Sequence, residues 1–222
     1  MITAKFVEEC KNRFLCLCKL NEEIVECYVS SSSKLEKYIK LKGRKVMLSE
    51  NSGKNLRTSY TLQAVLIKGR WILLNLNLIN ELYLNMLTTN RKLTITDIQR
   101  EKIVGGYKTD FYIDKQKLLI EAKGILAEDK EVIYPIVSCG RTLKQLNSIY
   151  EILQEGFSVE YGFVLMNPNI KEISINPKEF EISTMFKKCI EAGMIVRFYT
   201  IRWYAGKCYL KELEVGVVKM TY

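Results

Sequence analysis

The sequence predicts a two-domain α+β chain, a small β-barrel followed by an α/β layer, and three observations carry that prediction. Short strand-like runs crowd residues 1–80, strands alternate with helices over residues 81–222, and the surplus positive charge sits in the first part. Residues 1–80 hold 14 Lys and Arg against 7 Asp and Glu, whereas residues 81–222 hold 20 against 18. With 222 residues, 48 % of them hydrophobic and 27 % charged, there is apolar material for a sizeable core and no resemblance to a disordered tail.

In the first part, strands are read at residues 14–19, 24–29, 45–48, 60–67 and 71–76. Turn signals separate them: Asn21-Glu22, the serine run at Ser30, Asn51-Ser52-Gly53 and Lys68-Gly69-Arg70. A short helix is read over residues 34–40. Five short strands in so few residues suit a closed barrel of the OB type, a fold that binds oligonucleotides on a basic, partly aromatic face. The alternative is a small β-sandwich or barrel whose lysines are merely solvated.

In the second part, Asn80 is read as the N-cap of a helix reaching about Leu87. Strands at residues 108–113 and 118–123 flank Asp114-Lys115-Gln116-Lys117, a polar loop suited to a hairpin, and a third strand follows at 132–135. Residues 141–154 place Leu143, Leu146, Ile149, Ile152 and Leu153 at helical spacing, and Gly156 stands where that helix should stop. A strand at 161–166, a helix at 183–192 closed by Gly193 and a strand at 194–203 complete an α/β core. Residues 208–222 read as one or two further strands, placed to cover a sheet edge or pair with a second subunit. Oligomeric state stays open.

Composition then narrows the chemistry. A formal charge of +9 and a pI of about 9.1 favour an anionic partner, nucleic acid first. The absence of histidine excludes Ser-His-Asp and Cys-His catalysis and the H-E-x-x-H metalloproteases. Gly105-Gly106 has neither the P-loop nor the dinucleotide-binding spacing. No leader-like apolar run follows Met1, and no stretch approaches the roughly 20 apolar residues of a membrane span. The seven cysteines are therefore expected as reduced thiols in a cytoplasmic protein that does not enter the membrane. Cys10, Cys16, Cys18 and Cys27 fall close together, but Cys16 and Cys18 lie in a strand and lack the C-x2-C knuckle. Buried strand cysteines are expected rather than a zinc ribbon.

One constellation carries chemistry. Glu121 and Lys123 are two residues apart on a strand, so both side chains leave the same face, and the hairpin brings Asp110 beside them. Two carboxylates and a lysine can hold a divalent cation, orient a water for attack on phosphorus and stabilise the charge that develops. The competing reading is a cross-strand ion pair.

Asp110…Glu121-x-Lys123 resembles the PD-(D/E)xK nuclease signature, and the chain resembles the SfsA family, the sugar fermentation stimulation proteins, over roughly residues 6 to 203. The likeness extends to Arg13-Phe14-Leu15, to Leu48-Ser49-Glu50-Asn51, to the run from Leu56 through Thr61-Leu62, and to Asn75-Leu76-Asn77-Leu78-Ile79-Asn80. It also extends to Arg100-Glu101 ahead of the hairpin. The resemblance implies an N-terminal OB-like domain at residues 1–80 and a restriction-endonuclease-like domain at 81–222 that uses Mg2+ or Mn2+. It makes Asp110 and Glu121 metal ligands, Lys123 the catalytic lysine and Glu101 an additional acid.

Arg141 and Lys144 are placed to reach a scissile phosphate, or to form the polar face of an amphipathic helix. Arg13, Arg44, Lys45, Lys54 and Arg57 are the candidate backbone contacts of the first domain, with Tyr28 or Tyr60 as a stacking surface. The sequence departs from the family pattern at Ser30-Ser31-Ser32-Ser33, at Tyr134-Pro135-Ile136-Val137 and at Ser138-Cys139-Gly140-Arg141. The function expected is metal-dependent hydrolysis of DNA or RNA. The alternative is a non-catalytic DNA-binding regulator of sugar metabolism.

Overall fold

The computed structural model describes residues 2–31, 33–52, 56–136 and 140–221. Its first half contains β1 (Ile2–Glu9), β2 (Leu15–Leu20), β3 (Glu23–Tyr28), β4 (Lys45–Glu50), β5 (Tyr60–Ile67) and β6 (Arg70–Leu73). β1 pairs with β2 and β4, β2 with β3, β4 with β5, and a short parallel pairing of β3 with β5 closes the ring. The result is a five-stranded OB barrel, and closure leaves none of its five strands an open edge. β6 stands outside the ring as the hairpin partner of β5.

Five barrel strands were expected, but one of the five differs. β1 carries only Ala4 and Phe6 as buried apolar residues among Thr3, Lys5, Glu8 and Glu9, too weak an alternation to announce a strand. The expected last strand is β6, beyond the ring. The expected helix at 34–40 is a single 3-10 turn, Leu35–Lys37, held at its start by Glu9, whose carboxylate accepts from the Leu35 and Glu36 N–H groups at 2.7 and 2.9 Å.

The second half opens with α1 (Leu78–Thr89), followed by β7 (Ile98–Arg100), β8 (Ile103–Val104), β9 (Tyr107–Lys108), β10 (Phe111–Ile113) and β11 (Leu118–Ile125). Then come β12 (Glu131–Tyr134), α2 (Gly140–Gln154), β13 (Ser158–Leu165), β14 (Glu172–Ile175), α3 (Phe180–Glu191), β15 (Ile195–Tyr204), β16 (Lys207–Glu212) and β17 (Lys219–Thr221). The sheet order is β16-β15-β13-β11-β10-β7, with β11, β13 and β15 parallel at its centre and antiparallel strands outside them. Parallel neighbours need long crossovers. α2 lies between β11 and β13, α3 between β13 and β15, and the two helices pack together.

The two sheet faces are buried differently. Leu119, Ile125, Val159 and Phe163 pack under Leu146 and Ile149 of α2. Ile120, Phe111 and Val164 pack under Leu82 and Tyr83 of α1, in an apolar cluster that runs on into the barrel. β12, β14 and β17 form a separate parallel sheet, so the closing segment does supply two strands, one on each sheet. β7, β8 and β14 have no counterpart among the expected strands. Each is two to four residues long.

Two helix-to-sheet contacts fix the layers. A Cβ on Gly124 would meet Ile79 Cδ1 at 2.3 Å, and one on Gly162 would meet the Tyr83 hydroxyl at 2.4 Å. Absence of a side chain at both positions lets α1 lie flat on β11 and β13. Gly124→Ala is expected to destabilise the fold by about 1–3 kcal/mol through overpacking. Urea unfolding checks this, and an unchanged midpoint would mean that α1 is not seated on β11.

The halves are joined by polar contacts as well. Ser30 accepts from the N–H of Leu76 through its carbonyl (3.3 Å) and from that of Asn77 through Oγ (3.2 Å). Arg44 Nη2 donates to Glu128 Oε1 at 2.7 Å, and the Lys40 N–H donates to Glu128 Oε2 at 3.2 Å. No helix among the described residues is long and apolar enough to cross a membrane.

Candidate active site

Antiparallel pairing of β10 with β11 ends at Phe111 opposite Ile120, and Asp110 stands just beyond that last pair. Its carboxylate takes over the ladder, since Asp110 Oδ2 accepts from the Ala122 N–H at 2.8 Å. Asn80 on the first turn of α1 donates to Asp110 Oδ1 at 3.1 Å. Asn80 is therefore not the helix cap expected of it. α1 starts at Leu78 with Asn77 in the cap position, and Asn80 faces the site.

Glu121 and Lys123 leave β11 toward α2, the face opposite Ala122. Glu121 is 4 % exposed and forms the hub. Its Oε1 accepts from Lys123 Nζ and from Gln145 Nε2 (3.2 Å), and its Oε2 accepts from the Tyr107 hydroxyl. Lys123 Nζ also donates to Gln145 Oε1 at 2.9 Å. A buried carboxylate is tolerated only when so partnered.

The electrostatics follow from burial and from these neighbours. Desolvation pushes the Glu121 carboxyl up, with Lys123 opposing and the like charge of Asp110 adding to the rise. For Lys123, burial pulls the ammonium down, but Glu121, through its charge and its hydrogen bond, together with Tyr134 and Asp110 outweighs it and the net direction is up. Tyr107 is pushed up by burial and by Glu121, with Asp110 adding to the rise and Arg141 opposing it. These groups thus act on one another as a single electrostatic unit.

The other expected site residues are less tightly gathered. Glu101 is tied to the site through its backbone, its N–H donating to the Asp110 carbonyl at 3.1 Å. Its carboxylate is exposed, pairs with Lys108 at 2.6 Å and is lowered by that lysine. Asp110, Glu121 and Glu101 do not close to within 4.8 Å of one another, a condition met among the described residues only by three cysteines. Arg141 and Lys144 are exposed at the start of α2, with Gln145 one turn after Arg141 on the same side.

In the barrel, Arg44 is committed to Glu128 and Arg57 pairs with Glu26 at 3.3 Å. Arg13 lies over the Phe14 ring at 4.6 Å. Lys54 lies outside the described residues, as do Ser32, Val137, Ser138 and Cys139 of the departing segments. Tyr28 and Tyr60 are half-buried at the seam where β3 meets β5.

Tyr107, Asn80 and Gln145 were not among the expected site residues. Each comes from a separate element, and only Gln145 carried a sequence signal, its spacing of four from Arg141. A cavity of about 150 Å³ opens between Ser31 and Tyr38 of the barrel and Gly124, Tyr134 and Pro135 of the second half, and Lys123 is not among the residues that line it.

Two family models cover most of the chain. The SfsA N-terminal OB domain matches residues 9–74, and the sugar fermentation stimulation protein RE domain matches residues 75–207. A sugar fermentation stimulation protein homolog of Natranaerobius thermophilus is 24 % identical over 217 residues, 91 % of this chain and 88 % of the relative. One of Clostridium botulinum strain Langeland is 26 % identical over 225 residues, 98 % of this chain and 94 % of the relative. The solved structure of Pyrococcus furiosus SfsA in complex with Ca2+ superposes with a TM-score of 0.81 at 18 % identity, covering 100 % of this chain and 96 % of that one. With the RE-domain match alone spanning more than half of its length, the chain belongs to the sugar fermentation stimulation protein family.

Proposed function

We propose that this protein is a divalent-metal-dependent nuclease that hydrolyses phosphodiester bonds of DNA or RNA, using Asp110, Glu121 and Lys123. One observation carries the reading: two carboxylates and a lysine from adjacent strands form a single electrostatic unit at the end of the β10–β11 ladder, in a chain without histidine. The donor set suits a hard cation such as Mg2+ or Mn2+, which takes carboxylate oxygens. Each carboxylate oxygen of Asp110 accepts one named hydrogen bond, leaving a second lone pair for a metal. The Ca2+ bound by the Pyrococcus furiosus protein, another hard oxygen-seeking ion, supports the same choice.

When bound, such a cation supplies Lewis-acid polarisation of a phosphoryl oxygen and a more acidic water. The chain's own residues do the rest. Asp110 is oriented by Asn80 and the Ala122 N–H. Tyr107 and Gln145 hold Glu121, and Gln145 also holds Lys123. The Lys123 ammonium has three N–H donors, two of them used by Glu121 and Gln145, and the third is available to a phosphoryl oxygen as charge develops. Arg141 and Lys144 provide phosphate contacts at the mouth of the site. Glu101 serves as an outer acid once its pair with Lys108 opens.

Labelled single-stranded DNA, duplex DNA and RNA, incubated with EDTA, Mg2+ or Mn2+, test the proposal. Cutting is expected only with the metal, and Asp110→Asn is expected to abolish it while leaving salt-sensitive binding in place. Binding without cutting by the wild-type chain under all three conditions would overturn the nuclease reading in favour of a non-catalytic nucleic-acid-binding protein.

A further inference from the structure

The barrel interior holds a cluster that plays no part in the proposed hydrolysis. Cys16 and Cys18 leave β2 on one face, two residues apart. Cys27 is the cross-strand partner of Cys16 on β3, and it also pairs with Tyr60 at the seam that closes the barrel. All three are fully buried. Their sulfurs lie within 4.8 Å of one another, with Cys16 Sγ and Cys18 Sγ 4.0 Å apart. Three thiolates arranged in a plane around one ion, with metal–sulfur bonds of about 2.3 Å, stand about 4.0 Å from each other. The sequence groups these three with Cys10, but the structure leaves Cys10 outside the triangle and brings Cys27 into it across the β2–β3 pairing.

We propose that Cys16, Cys18 and Cys27 form a binding site for a single monovalent copper ion inside the barrel. Thiolate donors select soft ions, among them Cu(I) and zinc. Structural zinc takes four ligands, and no fourth His, Cys, Asp or Glu joins the trio among the described residues. Three-coordinate sulfur is sufficient for Cu(I). On binding, copper–sulfur bonds replace thiol S–H bonds, the protons leave to solvent, and copper keeps its oxidation state. Linking β2 to β3 beside the β3–β5 seam, the ion would hold the barrel closed.

The test is anaerobic titration of the reduced full chain with Cu(I) in the presence of bicinchoninate as competing chelator. One copper per chain is expected to resist the chelator, with X-ray absorption of the wild-type protein showing three sulfur neighbours. Cys18→Ala and Cys27→Ala are expected to lose the retained copper, whereas Cys10→Ser and Cys208→Ser keep it. No retained copper, equal retention by the two cluster variants, or retention of zinc in preference to copper would overturn the proposal. The absorption measurement needs no variant, so misfolding of a substituted barrel does not blunt the test. Nuclease activity is not a readout, which separates this inference from the proposed hydrolysis.

Discussion

Lys123→Met is expected to reduce metal-dependent cleavage by about 10²–10³-fold, the loss that follows removal of one preorganised donor to developing charge. Methionine keeps the length of the lysine stem, so the packing beside Gln145 persists while the cation goes. Lys123→Arg, which retains the charge on a larger planar group, should fall between methionine and wild type. Binding of uncut nucleic acid in EDTA should change little in either variant. Single-turnover cleavage rates alongside binding isotherms make the check, and equal rates for wild type and Lys123→Met would remove the lysine from the mechanism.

The second large effect concerns stability at a distance from the site. Glu160 on β13 is 2 % exposed and accepts from Tyr83, from Tyr199 at 2.8 Å and from Arg91 at 2.8 and 3.1 Å, and it forms an ion pair with Arg197 at 3.1 Å. Burial raises Tyr83 and Tyr199, with the Glu160 charge adding to the rise, so both hydroxyls remain donors. Tyr83 also stacks on Phe111, one residue from Asp110. Glu160→Ala leaves a half-buried Arg91 facing a cavity with Glu212 at 3.6 Å as its remaining ionic partner, and breaking such a pair by removing one partner costs about 3–5 kcal/mol. At roughly 2–4 °C per kcal/mol for a chain of this size, the melting midpoint should drop by about 10 °C. Glu160→Gln keeps the volume and one of the two acceptor oxygens, opens no cavity and should lose less. Calorimetry on the two variants decides this, and a shift below about 1 kcal/mol for alanine would show that the network is solvated.

Much of the fold was legible because it is encoded locally. β5 runs over residues 60–67 as read, because it carries the buried Leu62, Ala64, Val65 and Ile67 between clear turns. α2 was legible from its apolar spacing. Asp110, Glu121 and Lys123 could be brought together from two short-range facts, the period of a strand and the return of a hairpin. β1 is not legible in the sequence because its inward face is thin. Asn80 misled because an asparagine ahead of a helical run looks like a cap whether or not it becomes one. Tyr107 and Gln145 become partners of Glu121 only when β9 and α2 pack against β11, a tertiary event with no local signature.

The junction at Ser30, Asn77 and α1 has a consequence for how such a protein evolves. α1 supplies Asn80 to Asp110, yet its first residues are positioned by Ser30, and Glu128 just past β11 is held by Arg44. A foreign barrel grafted ahead of residue 75 would arrive without these partners and would leave the acid-bearing strand misaligned. The two halves are thus coupled through these contacts rather than built as independent modules, and residues inserted between Asn75 and Leu78 are expected to disturb the Asn80–Asp110 hydrogen bond.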